Sequence, residues 1–112
     1  MLTRAHRLNL SADIRRVLRR GRRFVLPEAV VHVLTTPGPT KLGVITPKVV
    51  GNSVVRHSVA RKIRHSFRPV LAELPTGFEL VVRAQAGADT LSVEQWTDAC
   101  QRAISKARAQ SS

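Results

Sequence analysis

"KLGVITPKVVGNSVVRHSVARKIRHSFR", residues 41 to 68, begins as a strand and ends as a helix. Residues 41 to 47 form a short β-rich run stopped by Pro47. Val49 and Val50 are read as the start of a further strand, ended at Gly51. Residues 53 to 67 contain neither Pro nor Gly, and Ser53 or Asn52 stands where a helix N-cap is needed. At 100° per residue, Val55, Val59, Ile63 and Phe67 fall within about 120° of one another, the width of a core stripe. His57, Arg61, Arg64 and Arg68 recur at i, i+4, i+7 and i+11 as a separate ridge. Arg56 lies beside the stripe, and its place in the first turn lets it reach past the helix end.

The flanking sequence completes an α+β order. "NLSADIRRVLRRGRRF" (9 to 24) predicts a helix capped by Ser11 and stopped by Gly21, burying Ile14, Val17 and Leu18. Its arginines, Arg15, Arg16, Arg19 and Arg20, point elsewhere. "EAVVHVLT" (28 to 35) predicts a strand ended by the turn former "TPGPT" (36 to 40). "FELVVRA" (78 to 84) alternates as a half-buried strand. "LSVEQWTDACQRAISKARA" predicts a last helix opened by a Ser92–Gln95 capping box, with Trp96, Ala99, Cys100, Ala103 and Ala107 inward. The expected fold is one domain, residues 1 to 112, with helices packed on a small twisted sheet of about four strands. The long basic helix connects two neighbouring strands, and a parallel crossover of this kind is right-handed by default.

Charge narrows the function. Nineteen Lys and Arg against seven Asp and Glu leave a formal +12. No carboxylate occurs between Glu28 and Glu73. Residues 1 to 68 hold fifteen bases and two acids, whereas residues 69 to 112 hold four bases and five acids. Fifteen of the bases are Arg, whose planar fork suits phosphate. A cationic excess confined to one part of a domain reads as a polyanion-facing surface, with nucleic acid the expected partner. Ordinary solvated helix faces mix signs, and residues 53 to 68 do not. The first-helix arginines are either a solvated end or a second phosphate contact. "VVGNS" (49 to 53) offers a glycine for close backbone approach and a helix N-terminus for an anion, a pattern equally suited to a plain strand-to-helix turn.

Several classes are disfavoured. No apolar run approaches the ~20 residues of a membrane span, and the N-terminus lacks the apolar core of a secretory signal, so a cytoplasmic protein is expected. One cysteine makes no internal disulfide. The carboxylates show no paired or metal-ligand spacing. His57 and His65 are roughly 12 Å apart along a helix, too far to serve one phosphate as acid and base. No catalytic or metal site is expected in the protein itself. Four aromatics, Phe24, Phe67, Phe78 and Trp96, leave little for base stacking, so backbone recognition is favoured.

The order of these motifs resembles the bacterial ribonuclease P protein subunit. Residues 41 to 68 match that family's strand, its Lys-containing loop ending in Gly-Asn, and its Arg-rich helix. "HRLNLSADIRRVLRRG" and "FELVVRA" match its first helix and later strand. Lys48, Gly51, Asn52, Arg56, Arg61 and Arg64 stand at the family's basic and polar positions. The usual Arg-Asn-Arg opening is Arg56-His57-Ser58 here, a usual Lys is Ala60, and Ile14 and Leu18 stand where the first helix commonly offers aromatics.

The resemblance implies a protein that binds a catalytic RNA through its basic helix region and holds the 5′ leader of precursor tRNA in a cleft between that helix and the sheet. The RNA, using Mg²⁺ bound mainly by itself, removes the leader. It also implies a left-handed strand–helix–strand crossover, against the default. The expected RNA contacts are Lys48, Asn52, Arg56, His57, Arg61, Lys62, Arg64 and Arg68, with Ile14, Arg15, Leu18 and Arg19 at a leader cleft or second contact. One protein copy is expected per complex. A structural RNA binder of ribosomal-protein type would share the charge and the lack of catalytic residues.

Overall fold

The computed structural model describes residues 7–8 and 11–111. Helix α1 (Ser11–Arg20) is followed by strands β1 (Arg22–Leu26), β2 (Ala29–Pro39) and β3 (Lys41–Ile45), helix α2 (Ser53–Ala72), strand β4 (Thr76–Ala84) and helix α3 (Val93–Ser111). The four strands form one sheet in the order β1-β2-β4-β3. β1, β2 and β4 pair antiparallel, whereas β3 and β4 are parallel neighbours joined by α2. The α+β architecture with a four-stranded sheet, and a parallel β3–α2–β4 connection between neighbouring strands, are therefore as expected.

Strand alternation gives the sheet two differently covered faces. Val31 and Val33 of β2 and Leu80 and Val82 of β4 meet Ile63 and Phe67 of α2 and Trp96, Cys100 and Ala103 of α3 in the main core. On the opposite face, Val81 meets Val17 of α1 and Leu8, with Ile14 and Leu18 packed alongside. The segment of Arg7 and Leu8 lies parallel beside β3, and the Leu8 N–H donates to the Leu42 carbonyl at 2.9 Å.

Two of the three predicted caps form as read. The Asn52 side chain accepts from the Val55 N–H at 3.0 Å, which makes Asn52 the cap of α2 in preference to Ser53. Ser92 and Gln95 exchange reciprocal bonds of 2.8 and 3.1 Å at the start of α3. Ser11, expected as the cap of α1, is instead its first helical residue, and the cap position before it lies outside the described residues. Gly21 ends α1 with its N–H on the Val17 carbonyl; a Cβ there would stand 2.6 Å from that oxygen and 3.0 Å from the Val33 carbonyl oxygen. Only glycine lets the helix end so close to β2.

The structure differs from the sequence reading in five places. Residues 22 to 26 form β1, an edge strand whose arginines mask its pattern; pairing with β2 across the Pro27-Glu28 turn makes it a strand. β2 does not stop at Thr35 but runs to Pro39, with its ladder to β4 irregular between Thr35 and Pro39, where Pro37 and Pro39 lack an N–H. Lys48–Val50 is a 3₁₀ turn, not a strand. α2 continues five residues beyond Phe67 through Pro69, which forgoes one helical bond while Leu71 is buried beyond it. β4, expected half-buried, is covered on both faces because it is a central strand, and Glu79, Leu80, Val81 and Val82 are all buried.

Candidate nucleic-acid interface

The α2 surface is built by its register. Val59, Ile63 and Phe67 close against the sheet, and this forces His57, Arg61 and Arg68 out to solvent with Arg64 half-buried at the margin. Gly51, at φ 151°, brings the chain into α2; a Cβ there would stand 2.9 Å from Val55 Cγ1. Lys48 is exposed on the preceding turn. Among the described residues no carboxylate pairs with any base of α2; the ion pairs are Arg16 with Asp13 and Glu79, and Arg102 with Asp98. The charge desert seen in sequence thus survives folding.

Two grooves border this surface. One, of about 1050 Å³, runs along the outer side of α2 past His57, Ser58, Arg61 and His65, with Arg7 on its rim. The other, of about 290 Å³, sits at the sheet edge, where Arg56 and Ser53 of α2 face Val44 and Thr46. Arg64 and His57 line both. Burial, with Arg7 nearby, pulls the Arg64 guanidinium below its usual value. The Nε atoms of Arg7 and Arg56 are buried without a hydrogen-bond partner. Cations gathered at grooves without carboxylates form a surface whose free energy falls when an anion enters.

Each expected contact residue has a definite place. Lys48, His57, Arg61 and Arg68 are exposed, and Arg56 and Arg64 line the edge groove. Asn52 uses its side-chain oxygen as the cap. Lys62 is partly committed, since its Nζ donates to the Leu91 carbonyl at 3.1 Å. The implied cleft between the basic helix and the sheet is reduced to the edge groove, because the stripe of α2 fills the rest. Arg15 and Arg19 are exposed on α1, while Ile14 and Leu18 are half-buried against the sheet. The sheet separates these four from α2.

Sequence reading missed three features. Arg7 reaches the groove only because its segment pairs with the edge of β3, for which no local pattern exists. Arg16, grouped with the free arginines of α1, donates to Glu79 at 2.6 Å. His32 is 7 % exposed on the α1 face of β2, opposite Arg23 in the β1 pairing. Burial first, then Arg23 and Arg83, pushes its pKa down. Cys100 is buried, and its thiol is pushed up to about 12 by that burial. Phe67, Phe78 and Trp96 are buried and Phe24 packs on the same core, so none of the four makes an exposed stacking platform.

Among the described residues no three His, Cys, Asp or Glu side chains stand close enough to hold a metal ion. No helix there is long and apolar enough to cross a membrane.

Residues 2–108 match the family model described as Ribonuclease P. The ribonuclease P protein component of Mycobacterium sp. (strain KMS) is 36% identical over 111 residues, covering 96% of this chain and 94% of that relative. That of Clavibacter michiganensis subsp. michiganensis is 38% identical over 111 residues, covering 93% and 97%. The fold is shared with the RNase P protein of Staphylococcus aureus, at a TM-score of 0.75 and 22% identity over 91% of this chain and 94% of that one. It is shared too with that of Thermotoga maritima, at 0.73 and 19% over 89% and 96%.

Proposed function

Because the chain belongs to the ribonuclease P protein family, we propose that it is the RNA-binding subunit through which that endoribonuclease holds its RNAs together. The catalytic RNA lies along α2, contacting Lys48, Arg56, His57, Arg61, Arg64 and Arg68. The 5′ leader of precursor tRNA takes the α1 side, at Arg15 and Arg19 beside Ile14 and Leu18. One observation carries the reading: α2 has five Lys and Arg, no Asp or Glu, and no ion-pair partner among the described residues. Neutralising phosphates with these cations releases counterions and lets two polyanions approach.

In this proposal, protein and RNA divide the labour. The protein binds, orients and screens. On this proposal Mg²⁺ is held mainly by the RNA, which carries out the hydrolysis. A single protein copy acts in each complex, in the cytoplasm. The edge groove, with Arg56, Arg64 and the hydroxyls of Ser53 and Thr46, suits one phosphate of the catalytic RNA.

Reconstitution tests this. Precursor tRNA is incubated with a bacterial ribonuclease P RNA at low Mg²⁺, with and without the protein. The expected result is correct 5′ processing only when both are present, and none with the protein alone. Binding to the RNA without any gain in processing would reduce the chain to a structural RNA binder.

A further inference from the structure

Glu79 is out of place in a chain so rich in cations. It is 7 % exposed and is the one buried carboxylate among the described residues. It sits on the central strand β4 and points to the α1 side, where Arg16 Nη2 donates to its Oε1 at 2.6 Å. The pair is half-buried, the Arg16 side chain being 41 % exposed and that of Glu79 10 %, and taking the Glu79 carboxylate out of water offsets much of what the contact contributes to stability. Such pairs are best understood where they select one arrangement among several.

Helix α1 needs such a selection. Its apolar stripe is short: Val17 is fully buried, whereas Ile14 and Leu18 are half-buried. Four arginines, Arg15, Arg16, Arg19 and Arg20, surround that stripe, so several rotations would offer a guanidinium to the sheet. Asp13 makes the choice. It stands 3.5 Å from Arg16 Nη1 at i, i+3, and no other α1 arginine follows it by three or four residues. Arg16 is therefore held from both sides, by its own helix and by the sheet. Its three neighbours are left exposed.

We infer that Asp13, Arg16 and Glu79 form a positioning triad that sets the rotation of α1, so that Arg15 and Arg19 are presented to the leader in one fixed arrangement. The inference rests on the reading that α1 contacts the leader.

The test uses Glu79→Leu, which removes the charge without leaving a buried polar group, and two readouts. Spin labels on Ala12→Cys and Gln101→Cys, both exposed, report where α1 lies relative to α3; Cys100, buried with its thiol pushed up to about 12, stays unlabelled in the folded protein. The parent should show one distance population and Glu79→Leu a shifted or split one. In the reconstituted enzyme, affinity for long-leader precursor should fall roughly tenfold, or about 1.4 kcal/mol, with affinity for leaderless tRNA unchanged. A folded Glu79→Leu protein with the parent distance and the parent leader preference overturns the inference. Should Glu79→Leu fail to fold, Asp13→Asn replaces it: a second distance population supports the triad and a single parent population overturns it. If the parent itself shows no leader preference, the leader reading fails, while the distances still judge the triad.

Discussion

Helices α2 and α3 have nearly the same length, 20 and 19 residues, and lie side by side over the same core. They treat charge in opposite ways. α3 mixes signs and engages most of its charges within the protein, although the buried Trp96 Nε1 has no hydrogen-bond partner: Asp98 pairs with Arg102 at 2.9 Å, Ser92 and Gln95 close its first turn, and Arg108 lies 5.5 Å over the Phe78 ring. α2 has five cations, no anion, and two bordering grooves. Both bury an adequate stripe, so packing does not explain the difference. The comparison teaches that stability and recognition are separable here: α3 pairs its charges within the protein, and α2 leaves its cations for the RNA partner proposed above.

The contrast is open to direct attack. Trp96→Ala should cost about 3–5 kcal/mol, because a fully buried indole of α3 leaves a cavity shared with the sheet; chemical denaturation measures it, and a loss below about 1 kcal/mol would deny α3 its structural role. Arg61→Ala with Arg64→Ala should do the reverse. Stability should change by less than about 0.5 kcal/mol, while the log–log salt dependence of RNA binding flattens by roughly 1.4 units, taking ~0.7 per phosphate on a single strand. An unaltered slope in filter binding would remove α2 from the contact surface. Ser92→Ala should cost about 1 kcal/mol through the lost cap, visible in the melting temperature, and leave the salt slope untouched. Smallest of all, Arg102→Ala should cost about 0.3–0.5 kcal/mol, the worth of an exposed i, i+4 pair. If it weakened RNA binding as much as Arg61→Ala does, the division between the two helices would collapse.

Legibility followed the range of the interactions involved. The stripes of α2 and α3, the ridge at His57, Arg61, Arg64 and Arg68, and the capping box at Ser92 are patterns within four residues, and each stands in the structure as read. β1 was hidden, since Arg22 and Arg23 look like a loop until β2 lies beside them. Pro69 reads as a helix stop, yet buried Leu71 beyond it keeps the turn. Arg7, Arg16 and Lys62 were illegible as to partner, because the groups that decide them are 29 to 63 residues away or on another edge of the sheet.

By itself, then, the sequence determined the composition of the helix faces: which helix would be cationic without relief, and which apolar residues of α2 and α3 would turn to the core. Those are local consequences of residue type and periodicity. Only the tertiary structure decided the relation between the faces. It set α1 and α2 on opposite sides of one sheet, drew Arg7 to the groove, and withdrew Arg16 to Glu79. Strand order and helix rotation are chosen by contacts between distant segments, and no periodicity in the chain records them.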